Sequence, residues 1–239
     1  MEVGGSQFRN PSPHIQTFRV PNLSEINFPA LRAGRLARLQ QMMKRHEIPV
    51  CLFYNPGNIR YATGTEVMGV WTATTLARFA VVPADGSPVM FEYMNSMHVS
   101  EKFVDDVRPA ANWQYKATAG LAAANKWADE IKSVMAELGY AGEPLAVDKL
   151  DGFGFIALQN AGITVTDPSP ATVDAREVKT PEEIQLMILN GGAGDAMLAE
   201  FEAAIRPGIR EYELLGVLNK ALFDHHGEFM FTRLVASGT

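Results

Sequence analysis

Few residues in this 239-residue chain have the type and spacing for chemistry. It contains no H-E-x-x-H and no C-x-x-C, the short spacings that most directly hold zinc. His225 and His226 end a helical pattern beside Gly227, where a cation suits the negative end of the helix dipole without any bound metal. His98, after Asn95-Ser96-Met97, is a candidate site imidazole, whereas His14 and His46 read as surface residues. Ser237 lies in Ala-Ser-Gly, and no G-x-S-x-G surrounds it to present a nucleophile. Cys51 sits inside an apolar run and reads as a small buried hydrophobe. Trp71 is different. Its neighbours are Gly69, Thr72, Thr74 and Thr75 instead of apolar residues, which suggests an exposed loop offering a ring face. Arg60 and Tyr61 are its plausible neighbours, or ordinary packing at the end of a strand.

Composition narrows the class. With 47% hydrophobic residues the chain can fill one large or two modest cores. A net charge of −6 and a pI near 5.4 argue against a nucleic-acid partner, which would need a basic face. A single cysteine allows no internal disulfide and suits a reducing compartment. No apolar run is long enough to span a bilayer, and residues 1–13 lack the apolar core of a secretory signal. These features predict a cytoplasmic protein with no membrane partner.

Residues 1–29 read as an extended arm rich in Pro, Asn and Ser. Leu36, Leu39 and Met43 predict a helix over 31–46 that ends before Pro49. Val50 to Tyr54 is a continuous apolar run, as for a strand buried on both faces. Asn55-Pro-Gly-Asn58 reads as a turn. Leu76–Val82 and Val89–Tyr93, around Pro83 to Pro88, predict a hairpin. A short strand over Val104–Val107 follows, then helices over 121–138 and 152–160 and strands over 145–148 and 163–167. This alternation predicts an α/β domain over 30–170, with Pro168-Ser-Pro170 starting a linker.

Beyond it, Thr180 is placed to cap a helix, Pro181 to begin it, and Glu183 to reach back to the cap. Its stripe is Ile184, Met187, Ile188, Gly191, Leu198, Phe201 and Ile205. Pro207-Gly208 stops it, and a second helix from Glu211 is expected to bury Leu214, Leu215, Leu218 and Leu222. Burying such a stripe would contribute about 10 kcal/mol, as much as the whole stability of many domains, and would need a covering sheet. Only one strand, Phe229–Val235, is expected after the two helices, so the chain is expected to be cut from a longer protein.

Three separated stretches carry a resemblance. They are R-E-V-K-T-P-E-E-I-Q-L-M from Arg176 with I-R-P-G-I-R-E-Y-E-L after it, F-T-R-L-V-A-S-G from Phe231, and N-P-G-N-I-R-Y-A-T-G from Asn55. Together they resemble the creatinase / Xaa-Pro aminopeptidase superfamily, the pita-bread metalloenzymes. The resemblance implies a creatinase-type amino-terminal α/β domain over 30–170, then, over 171–239, the linker, first helices and strand of an α+β pita-bread domain, incomplete in this chain. It further implies, for a full-length relative, two divalent metal ions (Mn, Fe, Co or Zn) held by two aspartates, a histidine and two glutamates. The first two aspartates of that set stand eleven positions apart, and no Asp here is followed by Asp eleven residues later. No catalytic or metal-ligating residue is therefore carried over.

V-M-G-V-W-T around Trp71 and R-L-V-A-S-G look most like a branch that includes a bacterial dimethylsulfoniopropionate lyase. In that branch an aromatic at the position of Trp71 helps form the substrate pocket. Loops of this domain in the superfamily often reach the neighbouring subunit's site, which implies a homodimer acting on a small molecule or short peptide. A Trp ring suits a sulfonium cation and equally stacks on a proline ring. The expectation is the amino-terminal portion of a dinuclear Xaa-Pro aminopeptidase or creatinase-like hydrolase, providing dimer contacts and one pocket wall. The alternatives are a lyase of the same superfamily, or a non-catalytic binding or subunit protein complete at Thr239.

Overall fold

The computed structural model describes residues 20–65, 75–114, 116, 119–228, 230, 232 and 234–237. The chain divides into two compact units, residues 29–180 and residues 1–28 together with 181–239.

The larger unit is built on a sheet of order β4-β3-β2-β1-β5-β6. Its strands are β1 (Val50–Phe53), β2 (Phe79–Pro83), β3 (Val89–Glu92), β4 (Asp106–Pro109), β5 (Leu145–Val147) and β6 (Val165–Thr166). β1 pairs in parallel with β5, and β5 with β6, while β2 runs antiparallel to both β1 and β3. β4 lies parallel to β3. Helices cover both faces, which is why β1 reads as an unbroken apolar run. Val50 and Leu52 face one core with Phe79, Val81 and Phe91, beneath α4 (Gly120–Glu137) and α5 (Gly152–Asn160). Cys51 and Phe53 face the other with Ala80, Val82 and Met90. That second core is closed by α1 (Phe28–Arg45), α2 (Pro56–Thr63) and α6 (Ser169–Glu177). The period of two along each strand thus sends successive residues to opposite cores.

One local expectation is overturned by the structure. Asn55 to Gly64 is not a turn followed by a strand end. Asn55 accepts the Gly57 N–H at 2.8 Å and caps α2, Pro56 opens it, and Gly64 closes it at φ +75°. Asn-Pro suits a helix start as well as a turn, and here Ile59, Tyr61 and Ala62 bury one helical face. The stretch from Pro168, read as the start of a linker, enters a helix. Ser169–Glu177 is helical, with Ala171 and Ala175 fully buried against the sheet. Proline is tolerated in a first helical turn, and these small residues allow close approach.

In the smaller unit, α7 (Pro181–Ala204) and α8 (Glu211–Asp224) form a helical hairpin. Glu213 reaches back to accept the Arg210 N–H at 2.9 Å at the start of α8. Leu214 and Ala221 are buried, while Leu215, Leu218 and Leu222 are half-buried. On α7, Ile184, Met187, Leu198 and Ile205 mark an exposed stripe running just past the helix end. The expected strand over 229–235 is not formed at its described residues: Met230, Thr232, Leu234 and Val235 lie outside regular structure. A lone extended segment has no ladder partner for its backbone groups.

Candidate functional site

Trp71, with the rest of 66–74, lies outside the described residues. The frame on either side of that segment is described and is unusually polar for a core. Thr63 Oγ1 donates to the Ile59 carbonyl at 2.7 Å and lies 2.9 Å from Thr65 Oγ1. Arg78 Nη2 donates to Thr65 Oγ1 at 2.8 Å and pairs with Glu92 Oε2 at 2.9 Å. Ser100 Oγ, at the end of α3 (Met97–Ser100), donates to the same carboxylate oxygen at 2.6 Å. Glu92 Oε1 accepts the Tyr93 N–H at 3.0 Å. Both charges are out of water, Arg78 at 4% and Glu92 at 1% exposure. Burial pulls the Arg78 pKa down, and the facing Glu92 opposes that shift. Beyond the segment, the Leu76 N–H donates to Gln114 Oε1 at 2.8 Å. Both flanks of 66–74 are therefore fixed by side chains distant in sequence.

A second polar centre stands where the carboxyl ends of β1 and β5 meet. The chain leaves β1 for α2 on one face and leaves β5 for α5 on the other, a topological switch point where open α/β sheets bind ligands. Here the crevice is occupied from within. Asp148 accepts the N–H groups of Tyr54 at 2.8 Å and Asn55 at 3.1 Å, and the Asn58 amide at 2.8 Å. Burial pushes the Asp148 pKa up, and these three donors partly offset it. Asn58 Oδ1 accepts from Arg176 Nη2 at 2.6 Å. The Arg176 guanidinium sits 4.8 Å from the centroid of the Tyr61 ring, and that of Arg35 sits 5.5 Å from it. Tyr61 Oη donates to the Ala175 carbonyl at 2.8 Å. Tyr61 is thus a packing residue joining α1, α2 and α6, and Arg60 is half-buried on α2.

The remaining candidates scatter. His98 is exposed on α3. His225 Nε2 lies 3.4 Å from Glu200, and His226 adopts φ +61° just after α8. Ser237 bonds the Glu211 carboxylate through its N–H at 2.6 Å and its hydroxyl at 3.1 Å. His46 is not a free surface residue: its Nε2 lies 2.7 Å from Asp174, tying α1 to α6. Burial raises the Cys51 thiol far above its ordinary value and keeps it protonated. His14 lies outside the described residues. Among the described residues no group of three or more His, Cys, Asp or Glu side chains could hold a metal, so these residues do not fit a dinuclear centre. Sequence reading missed Arg78, Glu92 and Asp148. The available signal was a lone charge within each of two apolar strand runs, and an acid at the end of a third.

This architecture is that of a known domain. The chain belongs to the creatinase/prolidase family: the Creatinase/Prolidase N-terminal domain matches residues 35–178. Among curated relatives, it is 30% identical over 247 residues to the "Dimethylsulfoniopropionate lyase DddP" of Roseobacter denitrificans. It is 31% identical over the same length to the protein of that name from Roseovarius nubinhibens. Each alignment covers 100% of this chain and 54% of the relative, so the chain spans about half the length of the curated relatives it matches. Among solved structures, a prolidase from Thermococcus sibiricus superposes with a TM-score of 0.61 at 19% identity, covering 82% of this chain and 50% of that one. That likeness shows the shared fold.

Proposed function

We propose that the full-length protein is a metal-dependent lyase acting on dimethylsulfoniopropionate or a closely similar sulfonium carboxylate. Residues 29–180 serve as its amino-terminal domain and the helical hairpin after them as the opening of its catalytic domain. The observation that carries this is 30–31% identity along the whole chain to two proteins named for that activity. Cleavage of this substrate is an elimination. The proton beside the carboxylate is removed as the C–S bond breaks, giving dimethyl sulfide and acrylate. Two divalent ions, among Mn, Fe, Co and Zn, would assist by stabilising the carboxylate-side charge. Among the described residues no cluster of His, Cys, Asp or Glu would supply their ligands. In this reading the enzyme is a cytoplasmic homodimer, and Trp71 of one subunit lines the other's pocket, its ring facing the sulfonium.

A second reading, hydrolysis of Xaa-Pro peptides, is supported by the creatinase/prolidase family match, with Trp71 stacking on the proline ring. One experiment separates the two. The full-length protein is incubated with dimethylsulfoniopropionate, with release of dimethyl sulfide measured, and with a Xaa-Pro dipeptide, with release of proline measured. Release of dimethyl sulfide alone supports the lyase, and release of proline alone overturns it in favour of the peptidase. Release of neither overturns both. Trp71→Ala is expected to raise KM about 2- to 30-fold, the equivalent of a cation–π contact of ~0.5–2 kcal/mol, with little change in kcat.

A further inference from the structure

We infer that the buried Arg78–Glu92 pair, with Thr65 and Ser100, is a positioning clamp that fixes where the 66–74 segment leaves and rejoins the domain. The functional importance of that position rests on the reading of Trp71 as a pocket wall.

Thr65 immediately precedes the segment, and Arg78 lies 13 residues along the chain from it. Their 2.8 Å hydrogen bond closes the chain on itself at the segment's base. Glu92 holds the guanidinium from the end of β3, and Ser100 holds Glu92 from α3. Thr63 couples the cluster to the last turn of α2 through the Thr65 hydroxyl. Three elements, α2, β3 and α3, thus meet around one guanidinium. A buried ion pair is a poor device for stability alone, because well-packed apolar residues of like volume often serve as well or better. Its distinct property is direction: a planar guanidinium accepts only partners placed around its rim. Here those partners connect the base of the segment to the sheet.

The test uses 5-fluorotryptophan. The chain has three tryptophans, so the labelled protein gives three fluorine resonances, and Trp71→Phe identifies the one from the segment. Trp113 and Trp127 are fully buried in the opposite core and report on its packing. Thr65→Val cuts the tie at the segment's end and leaves the ion pair whole. Arg78→Met with Glu92→Leu removes the pair and preserves bulk. Under the clamp, Thr65→Val shifts the Trp71 resonance by more than its linewidth and leaves Trp113 and Trp127 in place. The double variant, where it folds, does the same. An unmoved Trp71 resonance in Thr65→Val overturns the clamp. So does movement of all three resonances, which would make the cluster a general packing element. The pocket reading fails separately: a Trp71→Ala enzyme with unchanged KM would remove it while the resonances still decide the clamp.

Discussion

At the scale of single residues, the acid at the switch point has a definite pH signature. Asp148 is held by three donors, yet burial is the dominant influence and raises its pKa above the ordinary value of 3.8. A carboxylate whose folded pKa is raised keeps its proton longer in the folded protein than in the unfolded chain. Its contribution to stability is therefore fully present below the unfolded pKa and is lost as pH rises through the folded one. Asp148→Asn carries no titrating group at that position. Denaturant unfolding of the two proteins, compared at intervals from pH 3.5 to neutrality, should show the wild type losing stability relative to the variant as pH rises. The difference should flatten once Asp148 is ionised in both states. A wild type that gains on the variant over that window would mean the three donors outweigh burial.

At the scale of elements, most of the α/β alternation was legible because both signals were strong: helical stripes such as Leu39 and Met43, and apolar runs such as Val50–Phe53. α5 over Gly152–Asn160 occupies the residues its pattern predicts. Proline carries two meanings, turn and helix start, and the misreading at Asn55 fell on that ambiguity. Asn55-Pro56 and Ser169-Pro170 begin helices because the next turn buries residues such as Ile59 and Ala171, a tertiary outcome that local turn chemistry does not contain. α2 also shows why a glycine follows its last residue. Gly64 sits at φ +75°, and a Cβ there would stand 2.1 Å from Arg32 Cδ. That Arg32 guanidinium lies 5.1 Å from the centroid of the Phe103 ring, so moving it disturbs a second contact. Gly139 has φ +85° but nothing within 4 Å of its would-be Cβ, which isolates backbone strain from the clash. Gly139→Ala should cost about 1 kcal/mol and Gly64→Ala roughly 2–4 kcal/mol in urea unfolding. Equal losses would show that Arg32 moves aside freely.

At the scale of the whole molecule, the family was legible in the three motifs, whereas the site was not. Arg78 and Glu92 look like stray charges until folding brings Thr65 and Ser100 around them, and no local period marks a pair joined across strands. The same scale explains α7. Ile184, Met187, Leu198 and Ile205 are 3, 11 and 7 residues apart, so they align along one side of the helical path, and all are exposed. In the proposed full-length enzyme this side faces the remainder of the catalytic domain. Met187→Lys with Leu198→Lys separates the two environments. In the present chain both positions are exposed, so stability should change by no more than about 0.5 kcal/mol per site. Fluorescence of bound anilinonaphthalenesulfonate should fall as two of the stripe's four large apolar side chains leave the surface. In the full-length protein the same pair would place two ammonium groups in an apolar interface, costing several kcal/mol and the cooperative unfolding of the catalytic domain. Equal tolerance in both proteins would mean that this side of α7 remains exposed to water in the complete enzyme, and the proposed packing of its second domain would be wrong.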